Sequence, residues 1–353
     1  MKTAKRFLAA LLCLVLCLSV LPAAFAQETL GEETVSTEAA LGGFGSKNGW
    51  EKDSSGRWTF YKNNVQVKGD WVKSGSTWYY IDTDGYMVAD CLKTIDGAKF
   101  YFRSSGAMSA SRWEKDDNYW MYFGSDGKAY VSKWLKSKDK WYYFDADGHM
   151  LADCLDKIDG RTYWFSASGA MNANKWYANN IGDWSYFGSD GRMYTVRWLK
   201  SNNKWYYFDS DGKMFAGDPQ TDNLIKSIGG TRYWFSPSGA IYTNKWFQEV
   251  DSSGNVKWRY FDKDGYGAYM SWEEIGGKWY YFGSDDYMVA DQVKQIGGSY
   301  YWFNTSGVMQ TNRWYNFGDG SWGYFGEDGK AYTSCTVEID GKTYRFNSNG
   351  ATY

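Results

Sequence analysis

A unit of about 22 residues recurs along most of this 353-residue chain, and no other feature constrains the fold as strongly. We count 14 copies between Gly49 and Tyr353, and a clear copy that begins at Lys133 reads KWLKSKDKWYYFDADGHMLAD. Self-similarity at such a period is typical of solenoids and repeat arrays. A single unit has too small a core to fold alone, so neighbouring units must stack to bury their apolar faces.

Each unit has the sequence pattern of a β-hairpin. In the copy above, a short strand begins at Trp134, a polar turn follows, and the second strand is the aromatic run Trp141 to Phe144. Aromatic residues favour strands, and the DADG sequence that comes next favours a turn. Side chains alternate along a strand, so Tyr142 and Phe144 share one face and Trp141 shares the other with Tyr143. We assign Tyr142 and Phe144 to the core.

A longer period lies on top of the hairpin period. Nine repeats carry a tryptophan pair, and the repeats that lack the first tryptophan begin at Cys91, Cys154, Asp218, Gln292 and Cys335. Up to the last repeat, these variants occur at every third position. The alternation predicts an all-β repeat solenoid of stacked β-hairpins, with about three hairpins per superhelical turn.

The chain begins with a targeting pattern. Three cationic residues, an apolar run and the small-residue motif AFA predict that residues 1–26 are a signal peptide. Residues 27–48 are rich in Glu, Thr, Ser, Ala and Gly and predict a flexible leader. The repeats then occupy residues 49–353. We therefore expect a secreted protein with no membrane span after cleavage of the signal.

Composition argues against several classes of function. His149 is the only histidine, so histidine-dependent catalysis is excluded and a histidine metal site is unexpected. The net charge of −2 argues against nucleic acid as a partner. Turn sequences such as DTDG at Asp82 resemble the start of a calcium loop but lack the glutamate that completes one. We expect no catalytic residue, metal or cofactor, and His149 is expected to be exposed.

The mature chain keeps three cysteines, Cys91, Cys154 and Cys335, an odd number for an oxidising compartment. With three hairpins per turn, Cys91 and Cys154 are one full turn apart, which is too far for a disulfide. We predict no intramolecular disulfide.

The unit (G)W-x₆-WYYF-x₃-G-x-M resembles the choline-binding, or cell-wall-binding, repeat of Gram-positive surface proteins. Units without the first tryptophan, such as IDGKTYRFNSNG from Ile339, are similar to repeats of glucan-binding proteins and clostridial toxin tails. The resemblance covers Gly49 to Tyr353. It implies a left-handed solenoid in which aromatic residues hold ligands between consecutive hairpins.

The resemblance also implies site residues. Family sites combine the two tryptophans of one repeat with its methionine and an aromatic residue of the next repeat. Carried over to this chain, the groups are Trp71, Trp78, Met87 and Tyr101; Trp113, Trp120 and Tyr143, with Ala129 at the methionine position; Trp134, Trp141, Met150 and Trp164; Trp176, Trp184, Met193 and Tyr207; Trp198, Trp205, Met214 and Trp234; and Trp272, Trp279, Met288 and Trp302.

Three further tryptophan pairs remain. Trp50 and Trp58 precede Tyr80, Trp246 and Trp258 precede Tyr281, and Trp314 and Trp322 precede Arg345. We expect no cation cage at the last pair, because Arg345 stands where the other pairs have an aromatic residue.

Aromatic walls suit a quaternary ammonium, which has no hydrogen-bond donor and is held by ring faces. The sequence therefore predicts a non-catalytic, secreted, cell-wall-associated protein that binds choline-bearing teichoic acid or a similar envelope polymer. No sortase motif is present, so attachment would be noncovalent. A base precedes the first tryptophan in six of the nine pairs, which keeps a sugar or phosphate-bearing polymer open as the ligand. A second alternative is an adhesin or toxin-like tail that binds a host glycan.

Overall fold

The computed structural model describes residues 46–221 and 223–353. The predicted signal peptide and nearly all of the predicted leader lie outside the described residues. Within the described ranges the regular elements are β-strands, and the first strand begins at Gly49. The all-β prediction is confirmed.

The strands pair in chain order into antiparallel hairpins, which we number 1 to 14. Their bounds are Gly49–Lys52 with Trp58–Lys62, extended by Val65–Gln66 (hairpin 1); Asp70–Ser74 with Thr77–Ile81 (2); Cys91–Ile95 with Ala98–Phe102 (3); Arg112–Asp116 with Tyr119–Phe123 (4); Lys133–Ser137 with Lys140–Phe144 (5); Cys154–Ile158 with Arg161–Phe165 (6); Lys175–Ala178 with Trp184–Phe187 (7); Arg197–Ser201 with Lys204–Phe208 (8); Ile225–Ile228 with Thr231–Trp234 (9); Lys245–Val250 with Val256–Phe261 (10); Trp272–Ile275 with Lys278–Tyr281 (11); Gln292–Ile296 with Ser299–Phe303 (12); Arg313–Asn316 with Trp322–Phe325 (13); and Cys335–Ile339 with Lys342–Phe346 (14).

The two strands are joined by a two-residue turn in ten hairpins and by a five-residue turn in hairpins 1, 7, 10 and 13. In hairpin 5 the two strands are joined by Lys138 and Asp139, whose φ angles are 48° and 59°. Positive φ at both central residues is the signature of a type I′ turn, whose twist matches that of the flanking strands. The polar residues between the two strands of each repeat therefore set the register of its tryptophan pair.

The core is a ladder of phenylalanines, one at or next to the end of the second strand in most hairpins. Twelve of them are less than 2% exposed: Phe102, Phe123, Phe144, Phe165, Phe187, Phe208, Phe235, Phe261, Phe282, Phe303, Phe325 and Phe346. The assignment of Phe144 to the core is confirmed. Tyr142 is only partly buried, because its ring faces the preceding hairpin.

A turn and a short connection link each hairpin to the one before it. After hairpin 5, the Asp145 carboxylate accepts the backbone N–H groups of Asp147 and His149, at 2.9 and 2.8 Å. The Met150 N–H then donates to the Trp120 carbonyl of hairpin 4 at 2.8 Å, and the Leu151 N–H donates to the Tyr143 carbonyl at 2.9 Å. Neighbouring hairpins are thus joined by backbone hydrogen bonds as well as by packing.

The chain divides into two compact units. One extends through Asn174 and includes Phe187–Arg192, and the other comprises Lys175–Tyr186 and Met193–Tyr353. Stacking of consecutive hairpins recurs within each unit. The number of hairpins per superhelical turn stays a prediction.

The cysteines Cys91, Cys154 and Cys335 are free thiols. Burial raises the pKa of the Cys91 and Cys154 thiols above the ordinary value of 9.0, so both stay protonated near neutral pH. The part of the chain that the structure describes contains no helix long and apolar enough to cross a membrane.

Candidate functional site

Strand alternation sends neighbouring aromatic residues to different hairpins. The ring of Tyr142 lies 5.1 Å from that of Trp113 in the preceding hairpin. Tyr143, the next residue, lies 5.0 Å from Trp134 of its own hairpin. Each hairpin therefore has a backward face, which contacts the preceding hairpin, and a forward face, which carries its two tryptophans.

Four side chains from two consecutive hairpins make a cage. Between hairpins 5 and 6, the rings of Trp134 and Trp141 lie 6.3 Å apart and are inclined at 86°. Tyr163 supplies a third wall, 5.0 Å from Trp134. The Met171 N–H donates to the Trp141 carbonyl at 2.8 Å, which brings this methionine to the cage. Trp141 is 42% exposed, so one wall remains open to solvent.

The methionine side chain packs against a glycine in the turn that follows the next hairpin. A Cβ on Gly191 would lie only 2.3 Å from the Met171 sulfur, and the φ of Gly191 is +75°. Both the contact and the backbone angle require glycine at this position. The cage thus depends on three consecutive repeats.

In all nine tryptophan pairs a ring of the next hairpin contacts the first tryptophan, and in seven of the nine a methionine completes the cage. The first tryptophan lies 4.6–5.1 Å from an aromatic ring of the next hairpin. In seven pairs the tryptophan rings are 6.3–6.5 Å apart and inclined at 76–90°. The cages are Trp50, Trp58, Tyr79 and Met87; Trp71, Trp78, Phe100 and Met108; Trp113, Trp120, Tyr142 and Met150; Trp134, Trp141, Tyr163 and Met171; Trp176, Trp184, Tyr206 and Met214; Trp198, Trp205, Tyr233 and Ile241; Trp246, Trp258, Tyr280 and Met288; Trp272, Trp279, Tyr301 and Met309; and Trp314, Trp322, Tyr344 and Thr352.

In every cage, the residue that contacts the first tryptophan is the one before the predicted partner in the strand. Tyr101, Tyr143, Trp164, Tyr207, Trp234, Trp302, Tyr80 and Tyr281 were expected, and the residue before each of them forms the third wall. A shift of one residue moves a side chain to the other face of a strand. Trp164 accordingly packs on Phe187, Trp234 on Phe247 and Trp302 on Tyr315.

The predicted methionines are shifted by one repeat. Met87, Met150, Met193, Met214 and Met288 were assigned to the tryptophans of their own repeats. The connection that follows a hairpin donates a backbone N–H to the carbonyl of the second tryptophan one hairpin earlier, where that hairpin has a pair. A methionine in the connection therefore joins the cage of the earlier hairpin and not that of its own repeat. Met150 therefore closes the cage of Trp113 and Trp120, which the prediction had left with Ala129. Met193 lies in the connection after hairpin 7, which reaches back to hairpin 6, and hairpin 6 has no tryptophan pair.

The contact with Arg345 that was expected at the last tryptophan pair is wrong. Trp314 lies 4.6 Å from Tyr344, and not against Arg345, because Arg345 points to the opposite face of its strand. The cage lacks the methionine, since Thr352 occupies that position.

Cations already approach the cage tryptophans. The ammonium of Lys73 lies 5.5 Å from the centre of the Trp78 ring, that of Lys200 lies 5.6 Å from Trp205, and that of Lys52 lies 4.8 Å from Trp58. These distances are within the range of cation–π attraction. Each of these lysines is the cross-strand partner of the tryptophan that it contacts.

Charged residues line some cages and not others. The cavity of about 630 Å³ beside Trp176 and Trp184 is also lined by Asp183 and Lys213, which form an ion pair at 2.7 Å. The 440 Å³ cavity beside Trp246 and Trp258 has no charged lining residue among those the structure describes. The cages therefore differ in electrostatics although their aromatic walls are alike.

The bases that precede the first tryptophans contact tyrosines or an acid. Lys133 lies 4.0 Å from the centre of the Tyr130 ring, and Arg197 lies 4.3 Å from that of Tyr194. Arg112 pairs with Glu114 at 2.9 Å. These contacts hold the positive charges at the connection before each strand.

One group of side chains has metal-ligand chemistry. Ligand atoms of Asp145, Asp147 and His149 lie within 4.8 Å of one another. The Asp145 carboxylate is already used by the turn, and the Lys99 ammonium lies 3.8 Å from the Asp147 carboxylate. His149 is half-buried, and stacks on Tyr119 at 4.1 Å, so the expectation of an exposed histidine is wrong. The fold of the turn and the contacts with Lys99 and Tyr119 therefore explain why these three side chains lie close together.

The chain matches known families over most of its repeats. A model of the choline-binding repeat matches residues 67–113, 131–176, 195–246 and 270–314, which is more than half of the chain. The chain belongs to the choline-binding repeat family. A model of a cell wall binding repeat matches residues 111–129 and 337–351 of this choline-binding repeat protein. No curated protein matches the chain.

Several solved structures from Streptococcus pneumoniae are similar. The modular autolysin LytC is 24% identical, with a TM-score of 0.46 over 68% of this chain and 52% of its own. The choline-binding domain of CbpL is 25% identical, with a TM-score of 0.44 over 57% and 96%. Choline binding protein F is 23% identical, with a TM-score of 0.40 over 88% and 99%. The chain matches about half the length of the autolysin.

The cage membership seen in the structure, which differs from the predicted one, is tested by NMR of methionine methyl groups. We expect choline to shift the Met150 resonance, and we expect Tyr142→Leu to weaken that response severalfold because it removes a cage wall. The matched variant Tyr143→Leu should leave the response of Met150 nearly unchanged, since Tyr143 faces the other way. A larger loss with Tyr143→Leu would contradict the cage membership described here.

Proposed function

We propose that this protein is a secreted, non-catalytic binding protein that attaches to choline-bearing teichoic acid or a similar envelope polymer. The observation that carries the proposal is the repeated three-walled cage, in which two tryptophans stand nearly perpendicular and a third ring closes the space. Membership of the choline-binding repeat family supports it. Attachment through the cages is noncovalent and places the protein on the outside of the cell wall.

The chemistry of the cage suits a trimethylammonium group. Such a group cannot donate a hydrogen bond, so dispersion and the negative faces of rings hold it. Each ring contributes about 0.5–1 kcal/mol when exposed and about 2 kcal/mol when desolvated. Three rings give a few kcal/mol, which corresponds to roughly millimolar affinity for one cage.

Firm attachment follows from the number of cages. A polymer that presents many choline groups engages several cages at once, so later contacts form at high effective concentration. Repetition therefore supplies the affinity that one shallow, half-open cage lacks.

The test compares beads that display choline with beads that display ethanolamine at the same density. The two groups carry the same charge, but ethanolamine has N–H donors and no methyl groups. We expect retention on the choline beads, elution by free choline at tens of millimolar, and little retention on ethanolamine. Retention on beads of α-glucan or host mucin, without retention on choline, would show instead that the array binds a glycan.

A further inference from the structure

The junction of hairpins 9 and 10 contains a cleft in place of a cage. Hairpin 9 has Ile225 where the nine hairpins with a tryptophan pair have the first tryptophan, and Arg232 where they have the second. The backbone shows this equivalence: Ile225 pairs with Trp234 as Trp134 pairs with Tyr143, and the Arg232 carbonyl accepts the N–H of Gly267 at 2.9 Å. Gly267 takes the position of the cage methionine.

The backward face of hairpin 10 is changed at the matching position. Arg259 pairs with Phe247 in the ladder, as Tyr142 pairs with Leu135, so Arg259 replaces the third aromatic wall. Two guanidinium groups thus stand where two rings stand in a cage. A quaternary ammonium would find no ring faces to hold it at these positions, so the junction is not a choline site.

The glycine of the overlying turn is also replaced. Asp286 has the place that Gly191 has above Met171, and it keeps a positive φ of 65°. A side chain fits at this position because Gly267 has no side chain beneath it. Asp286 is only 7% exposed and pairs with Arg232.

These substitutions leave an open, electrically balanced space. The cavity has a volume of about 730 Å³, within the usual 300–1,000 Å³ of small-molecule sites, and is lined by Ser227, Arg232, Phe247, Glu249 and Arg259 among others. Arg259 pairs with Glu249 and lies 4.0 Å from the Tyr287 ring. Each arginine already has a carboxylate partner, so the cleft presents donors and acceptors side by side without net charge.

We propose that this cleft binds a neutral saccharide. Sugar hydroxyls both donate and accept hydrogen bonds, and paired guanidinium and carboxylate groups offer both partners. Phe247 and the exposed edges of Ile225 and Val250 give an apolar surface for the sugar ring. The Nε of Arg259, in the wall of this cleft, is buried and has no protein hydrogen-bond partner. A phosphate is disfavoured because both arginines are neutralised.

The experiment is isothermal titration of the full chain with tetra-N-acetylchitotetraose and with maltotetraose, in saturating choline chloride. Choline occupies the cages, so any saccharide binding reports on another site. We expect one of these oligosaccharides to bind with a stoichiometry of one. Ser227→Trp, which fills the cleft from an exposed strand position, should abolish this binding and leave choline binding intact.

Two further variants separate the cleft from a merely structural role of its ion pairs. Gln295→Trp puts the same ring at the equivalent position of hairpin 12, where the second-tryptophan position is Tyr300, and should leave saccharide binding unchanged. Arg259→Lys keeps the charge but loses the planar donor fork, and should weaken binding at least about tenfold. The proposal is overturned if neither oligosaccharide binds, if Ser227→Trp has no effect, or if inorganic phosphate displaces the bound saccharide.

Discussion

Replacing the exposed tryptophans of five cages by alanine should lower retention on a choline surface by at least about 100-fold, at the lower end of the gain that multivalency gives. The substitutions are Trp78→Ala, Trp141→Ala, Trp184→Ala, Trp205→Ala and Trp279→Ala. Each side chain is 38–44% exposed, so its removal opens a cage without leaving a hole in the core. Surface plasmon resonance on immobilised choline measures the loss.

The size of this effect depends on cooperation among cages. Any one of these substitutions alone should change retention only slightly, because the remaining cages still hold the polymer. A matched control replaces Lys140, Lys204 and Lys278, each of which directly precedes a cage tryptophan and is exposed. If these lysine substitutions weaken retention as much as the tryptophan substitutions do, then charge and not the aromatic walls holds the ligand.

The substitution Phe144→Ala should destabilise its part of the array by about 3–5 kcal/mol, the usual cost of emptying a buried phenylalanine site. Phe144 has no exposed surface, and its ring lies 5.4 Å from Trp113 and 6.0 Å from Tyr130. The loss should remain local, since the stability of a repeat array is approximately a sum of repeat and nearest-neighbour contributions. Hydrogen exchange followed by mass spectrometry resolves it along the chain.

In that experiment, amide protection should fall in hairpins 4 to 6 and stay unchanged in hairpins 11 to 14. Lys140→Ala, at an exposed position of the same strand, should change local stability by no more than about 0.5 kcal/mol. An equal loss of protection in every hairpin would show that the array unfolds as one cooperative body, contrary to the nearest-neighbour expectation.

The sequence indicated which tryptophans lie near each other within a repeat, but not which residues of the next repeat contact them. The pairs recur at a spacing that a tight hairpin brings together, so Trp134 and Trp141 meet within one repeat. Their partners come from the next repeat, where the side chains of Tyr163 and Trp164 point in opposite directions. Both are aromatic, so residue type did not distinguish them. The period-two pattern separates the two faces but does not say which face meets which neighbour.

The cleft at hairpins 9 and 10 shows the same limit. Arg232, Arg259, Gly267 and Asp286 are far apart in the chain, and none of them stands out in the repeat pattern by itself. Their relation is visible only once the backbone bonds from each connection to the preceding hairpin are known. The change from methionine to Gly267 then explains why Asp286 fits where a glycine stands in other repeats.

The amino-acid sequence by itself determined the hairpin repeat, the tight turns, the buried phenylalanine and the tryptophan pairs, because these depend on contacts within one repeat. Only the tertiary structure decided which aromatic ring and which methionine complete each cage. Those contacts form between repeats, and their membership depends on the direction in which each connection reaches back to its neighbour. Every unit of a repeating sequence carries the same residue types, so the sequence does not show to which neighbour each connection bonds.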